Sequence, residues 1–398
     1  MAEFADTIKF LRSSEIRDLM SLATRPGIIS FAGGMPGNEL FPIKEMDGIY
    51  NSLTLAEKQV AMQYGPTPGL PSLLESLGEY LAQKGFPVTQ NKLIITTGSL
   101  QAINMLAKAF IDPGDSIVVE NPSFIGALSA FRSYQARLET VPLTSEGISL
   151  QVLKEKLEAS PKPKFVYYSP NFHNPAGTIY TNEVKQGMIR LLTGKGIPLV
   201  EDDVYSDLYF YEEDKEKLKL IKMMNPGAMD VCYTGSFSKI LGPGLRLGWM
   251  LVPEHIYQKC ELIKQSFDAC SPSLSQVLAD KFIRGEHIYT YVEEVRAEYK
   301  KRGLAMIECL EKNLPGYVTW DKPRGGFYIW LQLPEGTDSA EILKKAIDKG
   351  AVFVTGKTFD PDGKKNNNMR VSFCNTSVEA INKGIPMIAQ AIREVCGE

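Results

Sequence analysis

Short runs that are apolar throughout alternate with longer stretches in which apolar side chains recur every three or four positions, from about residue 43 to about residue 270. Leu93-Ile-Ile-Thr-Thr97, Ser116-Ile-Val-Val-Glu120, Phe165-Val-Tyr-Tyr-Ser169, Pro198-Leu-Val-Glu-Asp-Asp203, Val231 to Gly235 and Leu247 to Val252 read as strands. Because these runs do not alternate with polar residues, both faces of each strand should be buried, as in a mainly parallel sheet covered by helices. Helices are predicted at about 43–57, 71–84, 99–110, 123–134 and 182–194. Turn formers crowd Tyr64-Gly-Pro-Thr-Pro-Gly-Leu-Pro71 between the first two.

The pattern changes near residue 275. Long amphipathic helical sequence runs to about 312, Val318-Thr-Trp320 and Gly326-Phe-Tyr-Ile-Trp-Leu331 read as antiparallel strands, and further strands are expected at 351–354 and 369–373. Helices at 338–349 and from 377 complete an α+β unit. At the other end, Ser14-Glu-Ile-Arg-Asp-Leu-Met-Ser-Leu22 is a short helical pattern that Ser13 or Ser14 could cap, followed by a strand over Ile28-Ile-Ser-Phe-Ala32. That arm has too little apolar surface to fold alone. The expected architecture is α/β: an N-terminal arm (1–44) returning to the small domain, a large domain (45–280) and a C-terminal small domain (281–398).

The 398 residues are enough for two or three domains, and 44% hydrophobic with 23% charged residues is the balance of a globular protein. A net charge of −3 gives no field that would favour nucleic acid or an anionic membrane. No apolar run is long enough to span a bilayer, and Met1-Ala-Glu-Phe-Ala-Asp6 lacks the order of a signal peptide. Six cysteines form no Cys-x-x-Cys and have no histidine cluster beside them, so neither a disulfide framework nor a metal site is expected, and a reducing cytoplasm is the expected location.

Candidate chemistry lies at the ends of the strands, where ligands bind in parallel sheets. Lys239 follows an apolar strand, is flanked by Ser236 and Ser238, and precedes Gly242, Pro243, Gly244 and Arg246. An amine in that setting can condense with an aldehyde, and the hydroxyls with the guanidinium can hold a phosphate. Aldehyde plus phosphate describes pyridoxal 5′-phosphate (PLP). Gly98-Ser99-Leu100-Gln101 opens a helix whose free N–H groups suit a phosphate. Asp202 and Tyr205 follow another strand. A carboxylate beside the pyridine nitrogen would keep it protonated, and the Tyr205 hydroxyl could donate to the ring's phenolate oxygen. Asn174-Pro-Ala-Gly177 offers a turn with an amide, and Phe124 could stack on a flat ring.

Taken together, Thr97-Gly-Ser-Leu-Gln101, Asn174-Pro-Ala-Gly177, Asp202-x-x-Tyr205, Ser236-x-Ser238-Lys239 and Gly244-x-Arg246-x-Gly248 resemble the fold-type-I PLP-dependent aminotransferases of class I/II, over nearly the whole chain. The resemblance implies that Lys239 bonds covalently to the cofactor and that Asp202 pairs with the pyridinium nitrogen. It also implies that Asn174 and Tyr205 bond the 3′ oxygen, with Phe124 stacking. Ser99, Leu100 through its backbone N–H, Ser236, Ser238 and Arg246 would gather the phosphate, with Gln101 in the same motif. Tyr64 would reach the phosphate in a neighbouring subunit, which implies a homodimer with shared active sites. Arg370, in Met369-Arg-Val-Ser-Phe373, would bind the substrate α-carboxylate in bidentate fashion, with Asn174 and Gly34 beside it. Phe124 stands where Tyr is usual and His173 where Gln is common.

Within the class, the arm Ser14-Glu-Ile-Arg17 … Arg25-Pro-Gly-Ile-Ile-Ser-Phe-Ala-Gly-Gly-Met-Pro36 … Phe41-Pro42 resembles the 2-aminoadipate (LysN-like) and kynurenine/aminoadipate enzymes. These accept aminoadipate, glutamate, leucine and aromatic amino acids. Arg17 turned inward would pair with an acidic side chain; turned outward, it would leave room for an apolar one. The implied reaction is ping-pong transamination between an L-amino acid and a 2-oxo acid such as 2-oxoglutarate. Lys239 would move the proton between Cα and the cofactor. Alternatives are a β-lyase on the same scaffold and a non-catalytic aminotransferase-like sensor. No helix-turn-helix pattern precedes the arm, which speaks against the sensor.

Overall fold

The structure, a computed structural model, describes residues 3, 4, 8, 19, 21, 22, 25–225 and 227–397. Its strands are β1 (Ile29–Ser30), β2 (Lys92–Thr96), β3 (Ser116–Asn121), β4 (Arg137–Thr144), β5 (Gly147–Ile148), β6 (Val166–Tyr168), β7 (Leu199–Asp202), β8 (Val231–Ser236), β9 (Gly248–Val252), β10 (Thr319–Trp320), β11 (Tyr328–Gln332), β12 (Ala351–Val352), β13 (Val354–Thr355) and β14 (Asn368–Ser372). Eight of them form one sheet in the order β2-β9-β8-β7-β6-β3-β4-β5. The run from β8 through β7, β6 and β3 to β4 is parallel. At the edges β9 is antiparallel to both β2 and β8, and β5 is antiparallel to β4.

Continuous burial explains the apolar runs. Neighbouring residues of one strand feed opposite faces: Val118, Val166, Tyr168 and Leu199 pack into one core, and Val119, Tyr167 and Val200 into the other. The first is closed by helices Leu150–Leu157 and Asn182–Leu192. The second is closed by Ser99–Phe110, Ile125–Ser133 and Glu254–Phe267. Each fully buried Leu, Ile or Phe contributes roughly 1.5–3 kcal/mol over its exposed state. Two dry layers therefore fix the strand ends on which the site is mounted.

β4 escapes the apolar-run rule. It reads Arg-Leu-Glu-Thr-Val-Pro-Leu-Thr, only Val141 of it is buried, and Pro142 gives up a backbone donor. The helix expected at 43–57 is two, Ile43–Ser52 and Leu55–Met62, because Thr54 caps the second in a reciprocal bond with Glu57. The helical sequence expected to about 312 forms two helices, Ser273–Arg284 and His287–Asn313, broken at Gly285 and at Glu286, whose φ is +59°. The strand expected at 351–354 is divided into β12 and β13.

The smaller sheet has the order β10-β11-β14-β13. β1 runs parallel to β12, with Ile29 opposite Ala351, and the Ser372 N–H donates to the Phe31 carbonyl at 2.8 Å. Residues 29–35 of the arm are thereby threaded between the smaller sheet and the ends of β7 and β8. Of the helical pattern at Ser14–Leu22, only Leu19, Ser21 and Leu22 are described. Arg17 lies outside the described residues.

Candidate active site

A cavity of 330 Å³ opens beyond the carboxyl ends of β7 and β8, lined by residues from eight separate stretches of chain. β7 delivers Asp202 to its floor. The carboxylate is buried, and both oxygens are held: Oδ1 accepts from the Thr234 hydroxyl and Oδ2 from the Tyr167 hydroxyl, each at 2.8 Å. Burial raises its pKa to about 6, against the two hydrogen bonds, which favour the charged form.

Lys239 comes from the turn after β8. Its Nζ donates to the Gly34 carbonyl at 2.8 Å and lies 5.4 Å from the centre of the Phe327 ring and 5.9 Å from that of Tyr205. Burial brings its pKa down to about 8, and the nearby Arg370 charge acts in the same direction. At pH 7 roughly a tenth of the amine is then neutral, far more than for an ordinary lysine, and the neutral form is what a nucleophile or proton carrier needs.

Across the cavity the first turn of helix Ser99–Phe110 points inward, with Gly98 at its start and no side chain capping it. Gly98 has φ +82°, open to glycine at no cost, and a Cβ there would stand 3.1 Å from Arg246 Nη2. A Cβ on Gly248 would meet the backbone of Gly98 and Ser99 at 2.7 Å. The two glycines let β9 and the helix start approach each other. Arg246 sits in the left-handed region at φ +53°, and its guanidinium makes long bonds of 3.3 Å to the carbonyls of Thr97 and Pro243. Ser236 donates to Ser238 at 2.9 Å. Hydroxyls, a guanidinium and a helix N-terminus around one end of the cavity are the donor set a phosphate requires.

The opposite end is closed by the arm and β14. Arg370 is 2% exposed, yet its Nε has no hydrogen-bond partner. Nη1 donates to Asn174 Oδ1 at 2.8 Å and Nη2 to the Ala32 carbonyl at 2.6 Å. The guanidinium lies between the rings of Tyr328, at 4.2 Å, and Phe359, at 4.7 Å. A buried guanidinium N–H without an acceptor marks the place of an anionic ligand. Tyr205 and Tyr328 touch through their hydroxyls at 3.2 Å.

Ser99, Leu100, Phe124, Asn174, Asp202, Tyr205, Ser236, Ser238, Lys239, Arg246, Arg370 and Gly34 all line this one cavity. Gln101 does not. Its amide accepts from the Thr97 N–H and donates to Asp268, tying the helix start to the chain after helix Glu254–Phe267. Tyr64 is also outside it, 85% exposed. Sequence reasoning missed Tyr328, Met35, Tyr167, Thr234 and Glu120. A tyrosine hydroxyl on an otherwise apolar strand after Gly325-Gly326 was a usable signal for Tyr328. Glu120, at the end of β3, accepts from the Ser169 N–H, from Tyr180 and from His173 Nε2. Because His173 Nδ1 accepts from the Ala176 N–H, His173 is the neutral Nε2–H tautomer and braces the Asn174 turn. A larger opening of 430 Å³ shares Ser236 but contains neither Lys239 nor Asp202.

An amine and a carboxylate at the ends of neighbouring strands of such a sheet, with the donor set for a phosphate at one end of the same cavity, define a fold-type-I PLP-dependent transferase. The chain belongs to the aminotransferase class I and II family, whose profile it matches over residues 43–388. An aromatic-amino-acid aminotransferase 1 from Thermococcus litoralis is 36% identical over 396 residues, 98% of this chain and 94% of the relative. The crystal structure of Pyrococcus horikoshii kynurenine aminotransferase in complex with PMP has a TM-score of 0.93 at 37% identity, covering 98% of this chain and 97% of that one. LysN, the α-aminoadipate aminotransferase of Thermus thermophilus, complexed with N-(5′-phosphopyridoxyl)-L-leucine, has a TM-score of 0.89 at 32% identity, over 99% and 98% of the two chains. The protein is an aminotransferase with pyridoxal 5′-phosphate as its cofactor, and its fold is that of the aspartate aminotransferase-like group. Among the described residues no helix is long and apolar enough to cross a membrane.

Proposed function

We propose that this aminotransferase takes L-amino acids with large apolar or aromatic side chains as donors and 2-oxoglutarate as acceptor, with Lys239, Asp202 and Arg370 as its three decisive side chains. The observation that carries this is their convergence: all three line one 330 Å³ cavity although the first and last stand 168 positions apart in sequence (370 − 202). When bound, the cofactor supplies an electron sink for the Cα–H bond of the amino acid. Asp202 would accept a hydrogen bond from the protonated ring nitrogen. Tyr205 and Asn174 would bond the 3′ oxygen, and Phe124 would stack on the ring. Ser99, the Leu100 N–H, Ser236, Ser238 and Arg246 hold the phosphate. Lys239, its pKa brought down to about 8, would accept the proton from Cα and return it on the cofactor side. Arg370 holds the α-carboxylate and fixes which Cα–H bond faces Lys239.

The side chain of the donor meets Leu100, Phe124, Met35 and Tyr328, and the cations among the described residues of the cavity are each committed to another group. The aromatic and kynurenine activities named for the relatives above accord with that surface. Acidic donors such as 2-aminoadipate would need a further cation, and Arg17 is the residue proposed to supply it.

The reading includes a homodimer, with residues 45–280 holding the cofactor and 1–44 packing with 281–398. In its support, Leu55, Met62 and Tyr64 are 74%, 84% and 85% exposed within one short stretch of chain, large apolar side chains that a lone chain would leave in water. Tyr64 is then the residue each protomer lends to its partner's phosphate. Half-reaction spectra test the whole. Phenylalanine, kynurenine, leucine, glutamate and 2-aminoadipate are added singly, and conversion of the PLP form to pyridoxamine phosphate is followed. Fast conversion by the aromatic donors supports the reading; conversion by none refutes it.

A further inference from the structure

We propose that Tyr328 is a positioning residue that sets both halves of the site, its hydroxyl strengthening Tyr205 as a donor and its ring aligning Arg370. This rests on the reading that Tyr205 meets the 3′ oxygen of the cofactor.

Three contacts meet on this one buried side chain. Its hydroxyl is 3.2 Å from that of Tyr205, with the rings edge-on at 5.9 Å and 83°. Its face carries the Arg370 guanidinium at 4.2 Å. Its hydroxyl also abuts the arm, where a Cβ on Gly34 would lie 1.9 Å from the oxygen, so only glycine lets the arm pass and bring its carbonyl to Lys239.

A phenol has one proton to give. Without a 3′ oxygen to bond, Tyr205 donates to Tyr328. Once Tyr205 turns its proton to the 3′ oxygen, the pair can remain bonded only if Tyr328 donates to Tyr205. A hydroxyl that accepts a hydrogen bond is the stronger donor for its next one. Burial raises the pKa of both phenols, so both keep their protons at neutral pH and act as donors. The charged and titratable groups facing the pair are Arg370 on β14, Cys374 just after it and Lys239 from the turn after β8, with Asp202 across the cavity. None of them is hydrogen-bonded to the Tyr205 hydroxyl, whose partner is Tyr328.

The readout is the pH midpoint of the visible band of the PLP-loaded protein. The deprotonated form leaves the larger negative charge on the 3′ oxygen. A better donor there favours that form and lowers the midpoint. Tyr328→Phe should therefore raise the midpoint by about half a unit, the size of one neutral hydrogen bond. In a Tyr205→Phe background the same change should add nothing. Gly34→Ala, which displaces the hydroxyl without deleting it, should shift the midpoint the same way and serves if Tyr328→Phe does not fold. No shift, or an equal shift with Tyr205 absent, overturns the inference. For the ring, the Kd of a non-reacting α-methyl amino acid should stay within about twofold in Tyr328→Phe and weaken about fivefold in Tyr328→Leu. An unchanged Kd in the leucine variant overturns that half. If the unaltered protein with PLP shows no visible band, the cofactor reading itself fails, an outcome distinct from a band that does not move.

Discussion

On the side of the cavity built by the eight-stranded sheet, both oxygens of Asp202 are satisfied by Thr234 and Tyr167 within two dry layers. On the side built by the arm and β14, Arg370 is equally buried but keeps one N–H without an acceptor, and Lys239 donates to the Gly34 carbonyl of the arm. The first side is complete around a group that stays; the second leaves polar valence open for molecules that come and go. Buried unsatisfied donors cost stability, so they persist where a ligand repeatedly fills them.

Mutations on the two sides should therefore fail differently. The largest effect belongs to Lys239→Ala, which should lower kcat by at least about 10⁴-fold and remove the visible band, read by steady-state kinetics and absorbance. Asp202→Asn should lower kcat by about 10²- to 10³-fold, the scale of one lost electrostatic partner. The same change should make the cofactor-free protein more stable at pH 7, by about 1–2 kcal/mol in urea unfolding. The sign follows from the raised pKa: the native state binds the Asp202 proton more tightly than the unfolded chain, so the native state loses stability as pH rises from about 4 to about 6. The asparagine variant lacks that loss, and a cofactor-free unfolding profile across pH 4–7 checks it. On the other side, Arg370→Lys should raise KM for amino acids by about 30- to 100-fold while leaving cofactor affinity nearly unchanged, because lysine cannot make the bidentate contact. The smallest effect is expected from Gln101→Ala: about 1 kcal/mol of stability from its lost bonds to Thr97 and Asp268, with the PLP Kd within about twofold. A tenfold loss of PLP affinity there would put Gln101 back among the cofactor's contacts.

The two sides also differed in how well they could be read from sequence. Strands β2, β3, β6, β7, β8 and β9 are buried on both faces, so their apolar runs and the polar residues just beyond them, Asp202 and Lys239 among them, stood out. β4 was hidden by its half-exposed face and Pro142, because the period of an edge-like strand with mixed side chains resembles loop. The arm side was harder. Arg370 was picked out by resemblance, but Tyr328 and Phe359 flank it through folding, from strands and turns that look like ordinary core. Gln101 shows a related limit: its position in the phosphate-loop motif says where its backbone is, while its amide turns to Asp268, a partner far along the chain. Periodicity reports burial; it does not report which distant polar group a side chain finds.

Borohydride reduction of the PLP-loaded protein followed by peptide mass spectrometry tests the central claim most directly. The cofactor mass should be fixed on the peptide containing Lys239 and on no other, and should be absent from Lys239→Ala. Attachment to another lysine, or no attachment at all, would contradict the assignment of this cavity as the seat of the chemistry.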